Sequence, residues 1–173
     1  VQNVFQPQTA HDAVCSPPQT FQPKQIARVD VNEFHTSLPQ LNKALPTRSL
    51  LRAHHYFEEI KRVQTIRESI LQNDIERFKQ TIIESGYSSY MYLQNIMHPT
   101  SDDQPLALSL ALAEENLRHT GAWRVHGGGF GGTILMIVPD HQVDALSKQF
   151  SAIYGEENFI PVHIRSIGVV QIT

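Results

Sequence analysis

Between Ala122-Trp123-Arg124-Val125 and the apolar run Thr133 to Val138 lies His126-Gly127-Gly128-Gly129-Phe130-Gly131-Gly132, which holds five of the chain's nine glycines. No other stretch constrains the fold as much. Glycine loses more conformational freedom on folding than any other residue. Clustered glycines between strand-like runs are therefore expected where the backbone takes φ > 0 or another group comes close. Glycine N–H groups that alternate between right- and left-handed conformations form a concave nest for an anion, most often a phosphate, because no Cβ blocks the approach. Taken alone, a glycine run is read more economically as a tight turn or a point where two backbones touch. It also departs from the familiar phosphate patterns. No Gly-Lys-Ser/Thr follows it, and a strand stands where a dinucleotide-binding motif needs a helix.

The surroundings of the loop carry a resemblance. Ala122 to Gly132, AWRVHGGGFGG, is similar to the third motif of the GHMP small-molecule kinases, in the GARMTGGGFGG-like form of galactokinases. Upstream, Arg52-Ala53-His54-His55 followed by Glu59, Arg62 and Val63 resembles the galactokinase pattern RAxHxxxExxRV. Gln72 to Phe78 is similar to the GDLxxFG stretch. Order and spacing agree over about residues 40 to 172, which sets the match apart from that of a lone short motif. Several positions depart from the family. Around Ser85 and Ser88, where galactokinases read SHxSL, Gly86 replaces the His, and His126 replaces the usual Thr before the glycines.

A chain of 173 residues has one-domain length and can bury a proper core. A net charge of -3 gives no basic footprint, so nucleic acid is not an expected partner. The single cysteine, Cys15, excludes an internal disulfide and fits a reducing cytoplasm. No apolar run approaches a membrane span. A chain that opens on Val1 without Met is expected to be part of something longer.

In chain order, residues 1–40 read as a lead-in arm with short elements. The stretch to Pro23 is rich in Pro and Gln, and the spacing of His11, Asp12 and Cys15 matches no zinc pattern. A short extended segment is expected over Lys24 to Asp30 and a brief helix over Asn32 to Leu38. Residues 41–173 read as the folded domain. Periodicity predicts a helix from about Ser49 to Gln72, with Leu50, Ala53, Phe57, Ile60, Val63 and Leu71 on its apolar face. Arg52, His55, Glu59 and Arg62 form an adjoining stripe. His55 and Glu59 at i, i+4 lack an HExxH-type string, so an ion pair of Glu59 with Arg62 or His55, worth about 0.2–0.5 kcal/mol, is the simpler reading.

A second helix is expected from Asn73 or Asp74, with Ile75, Phe78, Ile82 and Ile83 inward and an end near Ser85-Gly86. A third, largely buried, is capped by Asp102 or Asp103, has Pro105 near its first position and runs to about His119, with Gly121 ending it. Thr133 to Val138 reads as a strand buried on both faces. A helix from Pro139-Asp140 follows, with Val143, Leu146, Phe150 and Ile153 inward and Gly155 as its stop. Phe159 to Arg165 and Val169 to Ile172 read as final strands.

This order predicts an α+β domain, a mainly antiparallel sheet with helices on one face. The resemblance implies the ferredoxin-like C-terminal domain of GHMP kinases. It further implies part of a cytoplasmic enzyme of galactose metabolism that uses ATP and Mg²⁺ to phosphorylate the C1 hydroxyl of galactose or a related sugar. The phosphate loop and catalytic Asp would lie on an N-terminal kinase domain, the chain's implied partner, and neither string occurs here. What falls to this chain is an ATP-binding loop of His126, Gly127, Gly128, Gly129, Phe130, Gly131 and Gly132, with no catalytic residue and no metal ligand. For His126 two readings stand, a donor near the phosphates and a loop-stabilising hydrogen bond. A non-catalytic sugar-sensing or regulatory relative and a GHMP kinase for another small alcohol are the alternatives.

Overall fold

A computed structural model of the chain describes Ile26, residues 29–130 and residues 132–164. The His11, Asp12 and Cys15 positions, most of Lys24 to Asp30, Gly131 and the expected strand Val169 to Ile172 lie outside the described residues. The chain divides after Ile137 into two units.

In the first unit, helix α1 spans Val31–Ala44. The Asp30 carboxylate caps it by accepting the N–H groups of Asn32 at 2.8 Å and Glu33 at 3.2 Å. It is longer than the expected Asn32 to Leu38 because Pro39 is accommodated inside the helix rather than ending it. Helix α2, Thr47–Leu71, agrees with the expected element. Only the first half of its apolar face is covered. Leu50, Ala53 and Phe57 join Ile26, Val29 and Phe34 in one buried cluster, with the Phe34 and Phe57 rings 5.1 Å apart. Ile60, Val63 and Leu71 are exposed, contrary to the periodicity, because the covering helix α1 packs only on the earlier turns.

Helix α3, Ile75–Ser88, starts where Asp74 accepts the Arg77 N–H at 3.0 Å. Its buried face is mostly polar: Thr81, Ser85 and Ser88 beside Ile82, whereas Ile75 is exposed. It does not end at Gly86 as expected. The chain runs on into a wide π-turn, Ser89–Leu93, closed by Gln94 in the left-handed region at φ 56. Gly86 serves close packing instead. A Cβ placed there would lie 3.0 Å from Arg124 Cβ and 3.2 Å from the Trp123 carbonyl oxygen.

Helix α4, Pro105–Leu117, has Gln104 rather than an Asp at its cap and is less buried than expected: Leu106, Ala113 and Leu117 are covered, Leu108 is not. Thr120 and Gly121 donate to the Leu117 carbonyl, and the chain then enters strand β1, Ala122–Val125. Strand β2, Ile134–Ile137, pairs with it antiparallel, Ala122 opposite Ile137 and Val125 opposite Ile134. β2 is half-buried along its length rather than sealed on both faces, since β1 is its one partner among the described residues. Ile96, Leu106 and Val125 form a second core cluster, with Ala107, Leu110 and Ile134 against it.

In the second unit, helix α5 spans Asp140–Tyr154, Gly155 stops it as expected, and a short 3-10 turn, Glu156–Asn158, follows. Leu146 and Phe150 are buried, and Ile153 is exposed. Of the expected strand Phe159 to Arg165, the described part to Ile164 pairs with no other described strand, and Ile160, Val162 and Ile164 are exposed. Helices with a small antiparallel pair are compatible with the α+β class. No helix among the described residues is long and apolar enough to cross a membrane.

Candidate functional site

The glycine stretch is the connection of the β1–β2 hairpin. Past the last strand pair, the His126 N–H donates to the Thr133 carbonyl at 3.0 Å, closing the base of the loop. From there the backbone alternates in hand over Gly127 at φ 66, Gly128 outside the positive region and Gly129 at φ 76; Phe130 at φ 26 and Gly132 at φ 84 are positive as well. Such alternation turns successive N–H groups to one side, as an anion nest requires. Nothing lies within 4 Å of a Cβ built on Gly127, Gly128 or Gly132, so three of these glycines border open space. His126 and Phe130 are exposed.

Gly129 answers the other reading of the same motif. A Cβ there would overlap the Asn95 carbonyl oxygen and come within 2.9 Å of Asn95 Cβ. The next residue, Phe130, donates its N–H to that carbonyl at 3.1 Å. One side of the loop is therefore fastened to the backbone just after the π-turn, and the other is left free. A bulky residue at positive φ is strained, and Phe130 is held there by this bond to Asn95 and by glycines in the sequence on either side.

Beneath the hairpin, side chains from three separated stretches form one polar brace. Glu59 on α2 accepts from Arg62 Nε at 2.8 Å through Oε2 and from Arg124 Nη1 on β1 at 3.3 Å through Oε1. Ser85 on α3 donates to Glu59 Oε1 and accepts from Arg124 Nη1 at 2.6 Å. Ser88, one turn on, accepts from Arg62 Nη2 at 2.7 Å and lies 2.9 Å from His55 Nδ1. Arg124 also donates through Nε to the Val125 carbonyl at 3.0 Å, at the strand end that enters the loop. Burial acts to raise the Glu59 carboxyl. Hydrogen bonds from Ser85 and Arg62, with the charges of Arg124 and Arg62, outweigh it and hold the group below the usual carboxylate range. His55 is pushed down, chiefly by burial. Arg62 and Arg124 lower it further, against the opposing effects of Glu59 and a backbone hydrogen bond at Ser88.

The stripe on α2 is thus resolved in part. The Glu59–Arg62 ion pair is present, and His55 joins the same network through Ser88. Arg52 stays outside it, with its Nε buried and without a hydrogen-bond partner among the described residues. Sequence reading did not single out Arg124 as the brace between strand and helices, nor Asn95 as the seat of the loop. Arg124 lies between apolar neighbours in a strand, a position that carried a signal. Asn95 carried none.

No family model matches the chain. It is similar to curated proteins named galactokinase: 30% identical over 128 residues to that of Glaesserella parasuis serovar 5 (strain SH0165), covering 74% of this chain and 31% of that protein. The galactokinase of Haemophilus influenzae (strain PittGG) is 29% identical over 128 residues, 74% of this chain and 32% of that protein. The galactokinase of H. influenzae strain Rd is 29% identical over 125 residues. The chain spans about a third of the length of the curated relatives it matches. Three short motifs and an alignment over three quarters of the chain therefore agree: it resembles the galactokinases, over a length consistent with their C-terminal part.

Proposed function

We propose that this chain is the C-terminal domain of a galactokinase-like enzyme that moves the γ-phosphoryl of ATP to the C1 hydroxyl of galactose or a related sugar. On this reading residues 41–173 form the ferredoxin-like GHMP kinase C-terminal domain, residues 1–40 lead into it, and the enzyme works in the cytoplasm. The phosphate loop and the catalytic Asp belong to an N-terminal half. Phosphoryl transfer depends mostly on positioning and on stabilising charge, so the contribution of this domain is to close a prepared surface on the triphosphate.

The observation that carries the reading is the two-sided glycine loop. Its free face offers backbone N–H groups with no Cβ in the way, and its other face is fastened to Asn95. The residues present fit the phosphate end of ATP, held by the N–H groups of Gly127 to Gly129, with His126 and Gly132 at the rim. On this reading the Mg²⁺ ligands belong to the N-terminal half. When bound, MgATP supplies the phosphoryl group and its charge-neutralising cation.

The full-length protein incubated with MgATP and galactose, followed by mass spectrometry, tests the proposal. Galactose 1-phosphate above a matched blank is expected. Its absence, with MgATP and galactose still bound, would replace the kinase by a sugar-sensing relative. Phosphorylation of another small alcohol instead would move the assignment within the GHMP kinases. The isolated chain should yield no sugar phosphate, because it lacks both the phosphate loop and the acceptor-positioning Asp of this reading.

A further inference from the structure

The glycine loop leaves the sheet through one peptide group, the one that joins Val125 to His126, and both of its polar atoms are held. Its N–H, on His126, donates to the Thr133 carbonyl at 3.0 Å across the hairpin. Its carbonyl, on Val125, accepts from Arg124 Nε at 3.0 Å. A peptide group is planar, so bonds on its two sides fix the plane and, with it, the direction in which Gly127 sets out. The first bond belongs to the hairpin itself. The second comes from a side chain anchored elsewhere, because Arg124 Nη1 donates to Ser85 on α3 at 2.6 Å and to Glu59 Oε1 on α2 at 3.3 Å. A guanidinium is a rigid planar fork, so holding Nη1 on two helices also sets where Nε points. The stem of the side chain is confined as well, since a Cβ at Gly86 of α3 would lie 3.0 Å from Arg124 Cβ.

We propose that Arg124 is a positioning residue for phosphoryl transfer, passing the placement of α2 and α3 to the peptide at the mouth of the glycine loop, so that the N–H groups beyond it meet the triphosphate at a fixed angle. This rests on the reading of the loop as a phosphate site, and Arg124 itself acts through the backbone rather than on nucleotide or sugar. Positioning has a steep dependence on distance: a misplacement of about 1 Å costs on the order of a hundredfold in rate. The role is one for Arg. It uses donors that point two ways from one rigid group, Nε to the strand and Nη1 to the helices. A Lys carries the same charge on a flexible stem and has no donor at the Nε position.

The test uses the full-length protein in steady-state kinetics with MgATP and galactose, with rates expressed per folded molecule from thermal unfolding of the same preparation. Arg124→Lys keeps a cation beside Glu59 and removes the Nε donor. Its kcat should fall roughly ten- to a hundredfold while KM for galactose stays within about threefold of wild type, the pattern of a lost transition-state arrangement with sugar binding intact. Ser85→Ala loosens the anchor without touching the hairpin and should show the same split at smaller size, about three- to tenfold in kcat. Should Arg124→Lys not fold, Ser85→Ala decides. Wild-type kcat per folded molecule in the deciding variant would overturn the proposal, whatever its melting temperature, and leave Arg124 a structural ion pair. So would a raised galactose KM with unchanged kcat. Gly128→Val separates this from the underlying reading. If it loses activity while Arg124→Lys and Ser85→Ala keep theirs, only the role of Arg124 fails. If it is fully active, or if the wild-type protein phosphorylates neither galactose nor another small alcohol, the underlying reading falls and the role of Arg124 falls with it.

Discussion

Two neighbouring regions at one end of strand β1, the brace at Arg124 and the loop that follows, reach opposite solutions to the placing of polar groups. At Arg124 every charge is answered. Glu59 lies between two guanidinium groups, and Ser85 and Ser88 fill in the remaining bonds. Two residues later the chain enters a loop with open space beside Gly127, Gly128 and Gly132, and the buried Asn95 side chain has no hydrogen-bond partner among the described residues. A brace with all its bonds made holds a position. A surface with its bonds unmade is available to something else. In this chain residues of the RAxHxxxExxRV stretch brace the strand, and the glycine motif at its end is fastened on one side and open on the other.

The largest effect should come where loop and scaffold meet. Gly129→Val combines overlap with the Asn95 carbonyl and a β-branched residue at φ 76, and should destabilise by about 3–5 kcal/mol in denaturant unfolding. A stability near wild type would mean that the loop is not seated on Asn95. Glu59→Ala comes next. It leaves Arg62 and Arg124 facing each other without a counter-charge. A fully buried broken pair costs roughly 3–5 kcal/mol, and since a quarter of the Glu59 side chain is exposed, about 2–3 kcal/mol is expected. A change under about 0.5 kcal/mol would reduce the brace to an ordinary surface ion pair.

Acid should act on the brace before it acts on the loop. His55 is held below its ordinary value, so as pH falls below about 6.5 the unfolded chain binds a proton that the folded chain resists, and stability declines towards the folded value. Glu59 is also held low, so its contribution, complete above about 4.3, is lost as pH falls through its folded value. Both slopes have the same sign. Melting temperature should drop steadily from pH 7 downward, and His55→Gln should flatten the upper part of that drop. An unaltered profile in His55→Gln would remove His55 from the account. The smallest effect belongs to His126→Thr, an exposed change expected to shift stability by less than about 0.5 kcal/mol.

What could be read from the sequence was what repeats or caps locally. The 3.6-residue period placed α2, Asp74 and Pro105 marked helix starts, Gly155 marked an end, and the glycines marked the hairpin. What escaped depends on residues far apart in the chain. Gly86 has the composition of a helix stop, yet its lack of a side chain serves Arg124 and Trp123, some forty residues later. The apolar stripe of α2 predicted burial along its length, but burial needs a neighbour, and α1 covers only the first turns. Glu59 and Arg62 are three residues apart and were expected to pair. Arg124, 65 residues from Glu59, was not. Asn95 is beyond any local rule, because its meaning comes from the loop that settles on it.

The claim that the free face of the glycine loop receives phosphate is tested most directly by Gly128→Val in the full-length protein, with steady-state kinetics for ATP and thermal unfolding measured on the same preparation. Gly128 does not need positive φ, and nothing lies within 4 Å of its would-be Cβ, so the melting temperature should move by no more than about 3 °C. A side chain on that face blocks the approach of phosphate, and kcat/KM for ATP should fall by at least about a hundredfold. Normal kcat and KM, or a loss of activity no greater than the loss of folded protein, would contradict the account and leave the loop a tight turn.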